Sequence, residues 1–250
     1  MRILILIIIF FPKIHFAQNV EEIIENIYQR TVKQNEQMQN MPDYSLTQSV
    51  HFIKRDGDGD IDEQSKRTFE VFVRGDLRKR NLISALEYEN GEWTDITEKL
   101  KNKKLKSNHY SKDFSLAEMV HPDNRQEYEF TIAGMEKISG SDTYHLKVKP
   151  YQKSEEKFTG DMWVDATDYL LLKAKLIPSD FPSGIEHMVM RFKFAKVENY
   201  LMPDSITFDA KISFLLFIKG QIQSEIVFDS YRFNQTFDDS LFVGLEEGID

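Results

Sequence analysis

Tyr44-Ser45-Leu46-Thr47-Gln48-Ser49-Val50-His51-Phe52 decides the fold. Tyr44, Leu46, Val50 and Phe52 fall on one face of an extended chain, and Ser45, Thr47, Ser49 and His51 on the other. Alternation with period two over this length predicts a long, half-buried β-strand. Downstream, the charged stretch Asp56-Gly57-Asp58-Gly59-Asp60 makes a turn, and a second strand runs through Phe69, Val71 and Val73. Gly75-Asp76 turns the chain into a third strand, Leu77 to Leu86. Asn90-Gly91 then marks a two-residue hairpin, since both residues tolerate positive φ.

From Tyr128 to Phe233 the strand signals persist. Tyr128–Met135, Thr143–Val148, Thr159–Val164, Tyr169–Leu176, His187–Phe194, Ile206–Ile218 and Gln221–Phe233 are each bounded by Gly, Pro, Asp or Asn. Short strands joined by tight turns predict an antiparallel sheet of sequence neighbours. Helical periodicity occurs twice. Val20, Ile23, Ile24 and Ile27 recur at spacings of three and four, with acids early and Arg30 and Lys33 late, before Asn40-Met41-Pro42-Asp43 stops the helix. Between them, Lys101–Lys112 reads as an exposed basic loop, and Phe114–Val120 as a short helix ending before Pro122. The class is therefore mainly β (α+β): a strongly curved antiparallel sheet or half-barrel of about ten strands. The N-terminal helix and the short helical insertion are the covers available for its concave face.

Composition bounds what such a sheet does. Met1-Arg2, the apolar run Ile3–Phe11 and Ala17 before Gln18 have the layout of an export signal, 1–17, leaving 18–250 as one domain. The apolar run is too short to span a bilayer, which takes about 20 residues. Export implies a periplasmic or secreted protein. With no cysteine among its 250 residues, the chain has neither disulfides nor a thioether-lipid anchor, so it is not itself a lipoprotein. A net charge of −9 argues against a nucleic-acid partner.

Catalytic signatures are few. There is no Gly-x-Ser-x-Gly elbow and no His-Glu-x-x-His helix. Asp161 and Asp165, four apart on a strand, share a face and form the one pair suited to a secreted hydrolase, although Asp165 also suits the opening of a hairpin turn. Asp56, Asp58 and Asp60 form the one weak calcium candidate. In either loop register the first or last ligand position is occupied by Lys54, Ser65 or Arg67, so a charged hairpin turn is the simpler reading. Nothing in the sequence calls for a cofactor. The remaining signal is apolar: Phe208, Ile212 and Phe214 with Leu215–Ile218, next to Met188, Met190, Phe192 and Phe194. Much of this is core. A hollow so lined also suits an acyl chain, since each buried methylene contributes about 0.8 kcal/mol and ~14 carbons on the order of 10 kcal/mol before ordering costs.

The order of parts carries a resemblance. An export signal, one helix and a long hairpin precede Phe72-Val73-Arg74-Gly75-Asp76-Leu77-Arg78, Asn90-Gly91-Glu92-Trp93 and a helical insertion. Gly140–Pro150, Gly160-Asp161-Met162-Trp163-Val164-Asp165 and Asp229-Ser230-Tyr231-Arg232-Phe233 follow. This layout resembles the periplasmic outer-membrane lipoprotein-sorting proteins, the LolA-like family with its LolB-like fold, over most of Val20–Phe242. The resemblance implies a half-barrel whose helices lid a cavity for lipoprotein acyl chains. It also implies a non-enzymatic carrier for lipid or acylated protein, working between membrane-associated donor and acceptor proteins. Arg74 would be the basic residue that holds the lid closed, although Gly75 stands where the family has proline and alternation puts Arg74 opposite Val73. The candidate pocket is then Val50, Phe52, Val71, Val73, Arg74, Trp163, Phe192, Phe194 and Phe214. A non-transporting lipid sensor or protein-interaction module of the same fold is the alternative.

Overall fold

The computed structural model describes residues 19–89, 91–102, 116–214 and 218–243. The signal-like segment, Asn90, the basic loop from 103 onward, Phe114, Ser115 and Leu215-Leu216-Phe217 lie outside the described residues. Helix α1 spans Val20–Gln39. Asn19 starts it, its Oδ1 accepting the Glu21 N–H at 3.2 Å, and Glu21 and Glu22 place negative charge at the positive end of the helix dipole. The helix runs on to Gln39, so Arg30 and Lys33 sit in mid-helix and the last turn carries no basic residue. The dipole complement expected from them is absent.

Eleven strands follow in one sheet: β1 Tyr44–Arg55, β2 Ile61–Arg74, β3 Leu77–Glu89, β4 Glu92–Asp95, β5 Tyr128–Ile138, β6 Ser141–Pro150, β7 Phe158–Asp165, β8 Leu171–Pro178, β9 Ile185–Val197, β10 Tyr200–Phe214 and β11 Ile218–Arg232. Short helices α2 (Thr97–Lys101), α3 (Leu116–Val120) and α4 (Pro122–Arg125) lie between β4 and β5. The spatial order is β4-β3-β2-β1-β11-β10-β9-β8-β7-β6-β5, antiparallel throughout, and the sheet is curved and unclosed. Among the described residues, only the β1–β11 pair joins strands distant in sequence.

Most strand boundaries shift by a few residues from the sequence reading, and two of the differences have a local cause. β10 starts at Tyr200 and carries Pro203 at a register shift against β9, the kind of irregularity to which proline in a sheet is confined. Gly220 is not a turn but an interior residue of β11. A Cβ there would come within 2.8 Å of the Arg55 carbonyl oxygen, so the glycine permits close approach of β1. Gly75, by contrast, does turn the chain, with φ +53 between β2 and β3.

The core is divided. Ile23, Ile24 and Ile27 of α1, with Met119 and Val120 of α3, pack on Leu146, Val148, Met162, Val164, Ala174 and Leu176 of β6–β8. A second cluster joins Tyr44 and Leu46 of β1 to Val71 and Val73 of β2, Met202 and Phe233. A third, smaller one holds Leu170, Leu172 and Leu201. On the opposite face of β8 and β9, Lys173 stands directly across from Lys193 and Lys175 across from Arg191. Like charges so opposed destabilise a sheet. Lys193→Glu is therefore expected to raise stability by about 0.5 kcal/mol, read as a higher urea midpoint with unchanged slope.

Candidate functional site

The ladder registers assemble an apolar floor from residues far apart in sequence. One transverse row runs Met162, Ala174, Phe192, Ile206, Ile226, Val50, Arg67, Ala85 from β7 to β3. The neighbouring row runs Gly160, Leu176, Met190, Phe208, Ser224, Phe52, Ser65, Glu87. Where α1 lies on β6–β8 these rows are sealed: Met162, Ala174 and Leu176 are buried. Phe192 and Met190 pack at the edge of this cluster, and they and, beyond them, Ile206, Ile226, Val50, Phe208 and Phe52 are only half-buried. The concave face thus has a packed half under α1 and an apolar, incompletely covered half over β9, β10, β11, β1 and β2.

The candidate pocket residues separate accordingly. Val50, Phe52 and Phe192 come together on this floor. Val71 and Val73 are packed core, 1 % and 7 % exposed. Phe194 packs with Leu170, Leu172 and Leu201, beside the register shift at Pro203. Phe214 ends β10, and its side chain lies outside the described residues. Arg74 lies opposite Val73, as alternation requires. Its Nε, Nη1 and Nη2 donate to Asp43 Oδ2, Asp239 Oδ1 and the Phe237 carbonyl, each at 2.7 Å, and its guanidinium covers the Phe242 ring. These contacts fasten the segment after β11, not a helix over the hollow. They hold the Arg74 pKa above its ordinary value, chiefly through the Asp43 and Asp239 hydrogen bonds.

Trp163 also faces away from the floor, because Met162 and Val164 take the inward positions of β7. It stacks on His145 at 4.7 Å, donates its indole N–H to Glu136 at 2.9 Å, and lies under the Lys173 ammonium. His145 in turn bridges Glu136 Oε1 (3.0 Å) and Asp161 Oδ1 (2.7 Å). Sequence reasoning missed this cluster, whose members come from the four strands β5–β8. The Asp161 carboxylate is thereby engaged by His145, while Asp165 is 4 % exposed and shapes the β7–β8 turn. Asp165 Oδ1 accepts the Thr167 and Asp168 N–H groups at 2.9 and 3.3 Å, and Lys196 approaches at 3.7 Å. The two carboxylates serve separate local structures.

Burial raises the Asp165 pKa. Hydrogen bonds from Thr167, Ser141 and Asp168, with the Lys196 charge, outweigh that and hold it below the usual carboxylate value. A depressed folded-state pKa contributes stability above the unfolded value of about 3.9, and that contribution is lost as pH falls through the folded value. Stability of the wild type should therefore fall more steeply below about pH 4 than that of Asp165→Asn, as followed by denaturant midpoints. At neutral pH, Asp165→Ala should cost about 1–3 kcal/mol through the two orphaned N–H groups.

The Asp56 stretch is a hairpin turn between β1 and β2. Asp56 Oδ1 accepts the Asp58 and Asp60 N–H groups at 3.0 and 2.9 Å, and Lys54 pairs with Asp62 beside it. Among the described residues no group of three acidic, histidine or cysteine side chains is placed to hold a metal ion, and no helix is long and apolar enough to cross a membrane. A polar surface pocket of about 370 Å³, lined by Asn26, Arg30, Lys33, Asp168 and Tyr169, lies along α1.

No curated protein matches the chain. Among solved structures, a domain described as an outer membrane lipoprotein-sorting protein from Vibrio parahaemolyticus is 15 % identical, with a TM-score of 0.45 over 91 % of this chain and 99 % of that one. A DUF1329 family protein from Desulfovibrio piger is 14 % identical (TM-score 0.39; 89 % and 98 % covered). A LolA superfamily protein from Nitrosomonas europaea is 11 % identical (TM-score 0.33; 92 % and 100 % covered). A family model described as "-like: Uncharacterized protein" matches residues 90–244. That is more than half of the sequence, so the chain belongs to this family, and its unclosed, curved antiparallel sheet with few helices is the half-barrel that the sequence leads one to expect.

Proposed function

We propose that this protein is an exported, periplasmic carrier of lipid or lipoprotein acyl chains, with no catalytic step of its own. One observation carries the reading. The inner row Phe192, Ile206, Ile226, Val50 is apolar across four adjacent strands, yet α1 seals only the β6–β8 side of the same face. Leaving such a row half-covered forfeits hydrophobic stabilisation that a fully packed core would gain, and an acyl chain laid along it recovers that energy. The order of parts in the sequence points to the same class of protein. An acyl-bearing protein or lipid is the cargo, and membrane-associated donor and acceptor proteins are the partners on this reading.

Carrier and sensor differ in release. The test is transfer of a fluorescent triacylated peptide from donor to acceptor vesicles held apart by a dialysis membrane, with and without the protein. Transfer that scales with protein concentration is the expected result. Uptake without delivery would make the chain a lipid-sensing module, and no uptake would remove both readings.

A further inference from the structure

The floor is apolar along its row until Arg67. This residue follows Val50 on the transverse ladder and precedes the fully buried Ala85, on the same face of β2 as Phe69 and Val71. Its Nε is buried and has no hydrogen-bond partner. Arg67 takes part in none of the ion pairs among the described residues, including any with Glu63 or Glu87, the acids of its own face on nearby rungs. The other buried orphan among the described residues, Arg30 Nε, belongs to the polar pocket along α1.

A guanidinium stays charged at any physiological pH. Arg67 as a whole keeps partial solvent exposure, so the unmet demand is that of one N–H of its guanidinium, at Nε. An unpartnered N–H of such a group is costly to the free protein and calls for an acceptor. The position supplies the context: a cation at one end of an apolar track that runs from β9 to β2, four strand spacings or roughly 19 Å along the sheet. A molecule matching both features has a hydrocarbon chain and an anionic end.

We propose that Arg67 is the headgroup-binding residue of the hollow, and that the ligand is an amphiphile with an anionic headgroup, carboxylate or phosphate. This rests on the carrier reading and narrows it. The planar fork of arginine suits both headgroups, since each presents two oxygens side by side. The chain lies over Val50, Ile226, Ile206 and Phe192. The ligand repairs the unsatisfied donor, so binding gains more from an anionic than from a neutral head.

The experiment is calorimetric titration of the delipidated protein with palmitate, hexadecyl phosphate and hexadecanol, which share a chain and differ in the head. Palmitate or hexadecyl phosphate should bind about tenfold tighter than hexadecanol, and the tighter of the two identifies the headgroup. Arg67→Leu should erase that preference, and Arg67→Lys should keep part of it. Equal affinity for charged and neutral heads in the wild type, or a preference that survives Arg67→Leu, overturns the assignment while leaving the carrier intact. Binding of none of the three overturns the carrier reading and this inference together.

Discussion

Gly160→Ala is expected to cost about 3 kcal/mol or more, a large share of the roughly 5–15 kcal/mol that keeps an ordinary domain folded. Gly160 lies inside β7, opposite Leu176 of β8. A Cβ at this position would sit 2.0 Å from the Lys175 carbonyl oxygen and 3.0 Å from its carbon. Those are backbone atoms, held by the β7–β8 ladder, so no side-chain rotation relieves the clash. Strand separation is the only escape, and it breaks the floor of the α1 cluster, where Met162 and Val164 are buried on the same strand. Chemical denaturation measures the effect. The contrasting control is Gly57→Ala, whose Cβ would meet the Lys219 Cβ at 3.2 Å and should cost far less. A loss below about 1 kcal/mol for Gly160→Ala would mean that β7 and β8 separate easily.

The second large effect is on binding. Ile226→Asp places a carboxylate in the middle of the apolar row, between Ile206 and Val50. Because Ile226 is half-buried, the charge keeps access to water in the free protein, and the fold should survive with a cost of about 1–2 kcal/mol. An acyl chain crossing the same spot would strip that water, and a desolvated carboxylate against hydrocarbon is strongly unfavourable. Fatty-acid uptake should fall by more than about tenfold. Val71→Asp makes the comparison informative. Val71 is 1 % exposed in the packed β1–β2 cluster, so a charge there should unfold the protein outright and not merely empty it. If Ile226→Asp instead unfolds as Val71→Asp does, the row is closed core.

Much of this architecture was legible from local pattern. The 3.6-residue spacing of Val20, Ile23, Ile24 and Ile27 located α1, and alternation in Tyr44–Phe52 located β1 together with its inward face. Alternation also placed Arg74 outside, against the lid role implied by family resemblance, and the Asp43 and Asp239 contacts agree with the alternation. Other features depend on pairing between distant strands, which no local window contains. The β1–β11 ladder puts Val50 beside Ile226, and the β6–β7 ladder puts His145 beside Trp163. Trp163, a candidate for the hollow, faces away from the floor. The inward parity of Met162 and Val164 would have placed it outside. Arg67 shares the parity of Phe69, Val71 and Val73, and a lone basic residue at that parity was the available signal. Phe194 shares the parity of Phe192 but leaves the floor at the Pro203 register shift, which parity alone does not anticipate.

The central claim is that the inner face holds an acyl ligand. Native mass spectrometry of the protein purified without detergent, followed by organic extraction of whatever accompanies it, tests this most directly. The account predicts a mass excess over the bare polypeptide that extraction removes and that identifies as a lipid or acylated peptide with an anionic end. A bare mass that stays unchanged after incubation with palmitate would contradict it, and would make the face over β9–β11, β1 and β2 a self-filled core.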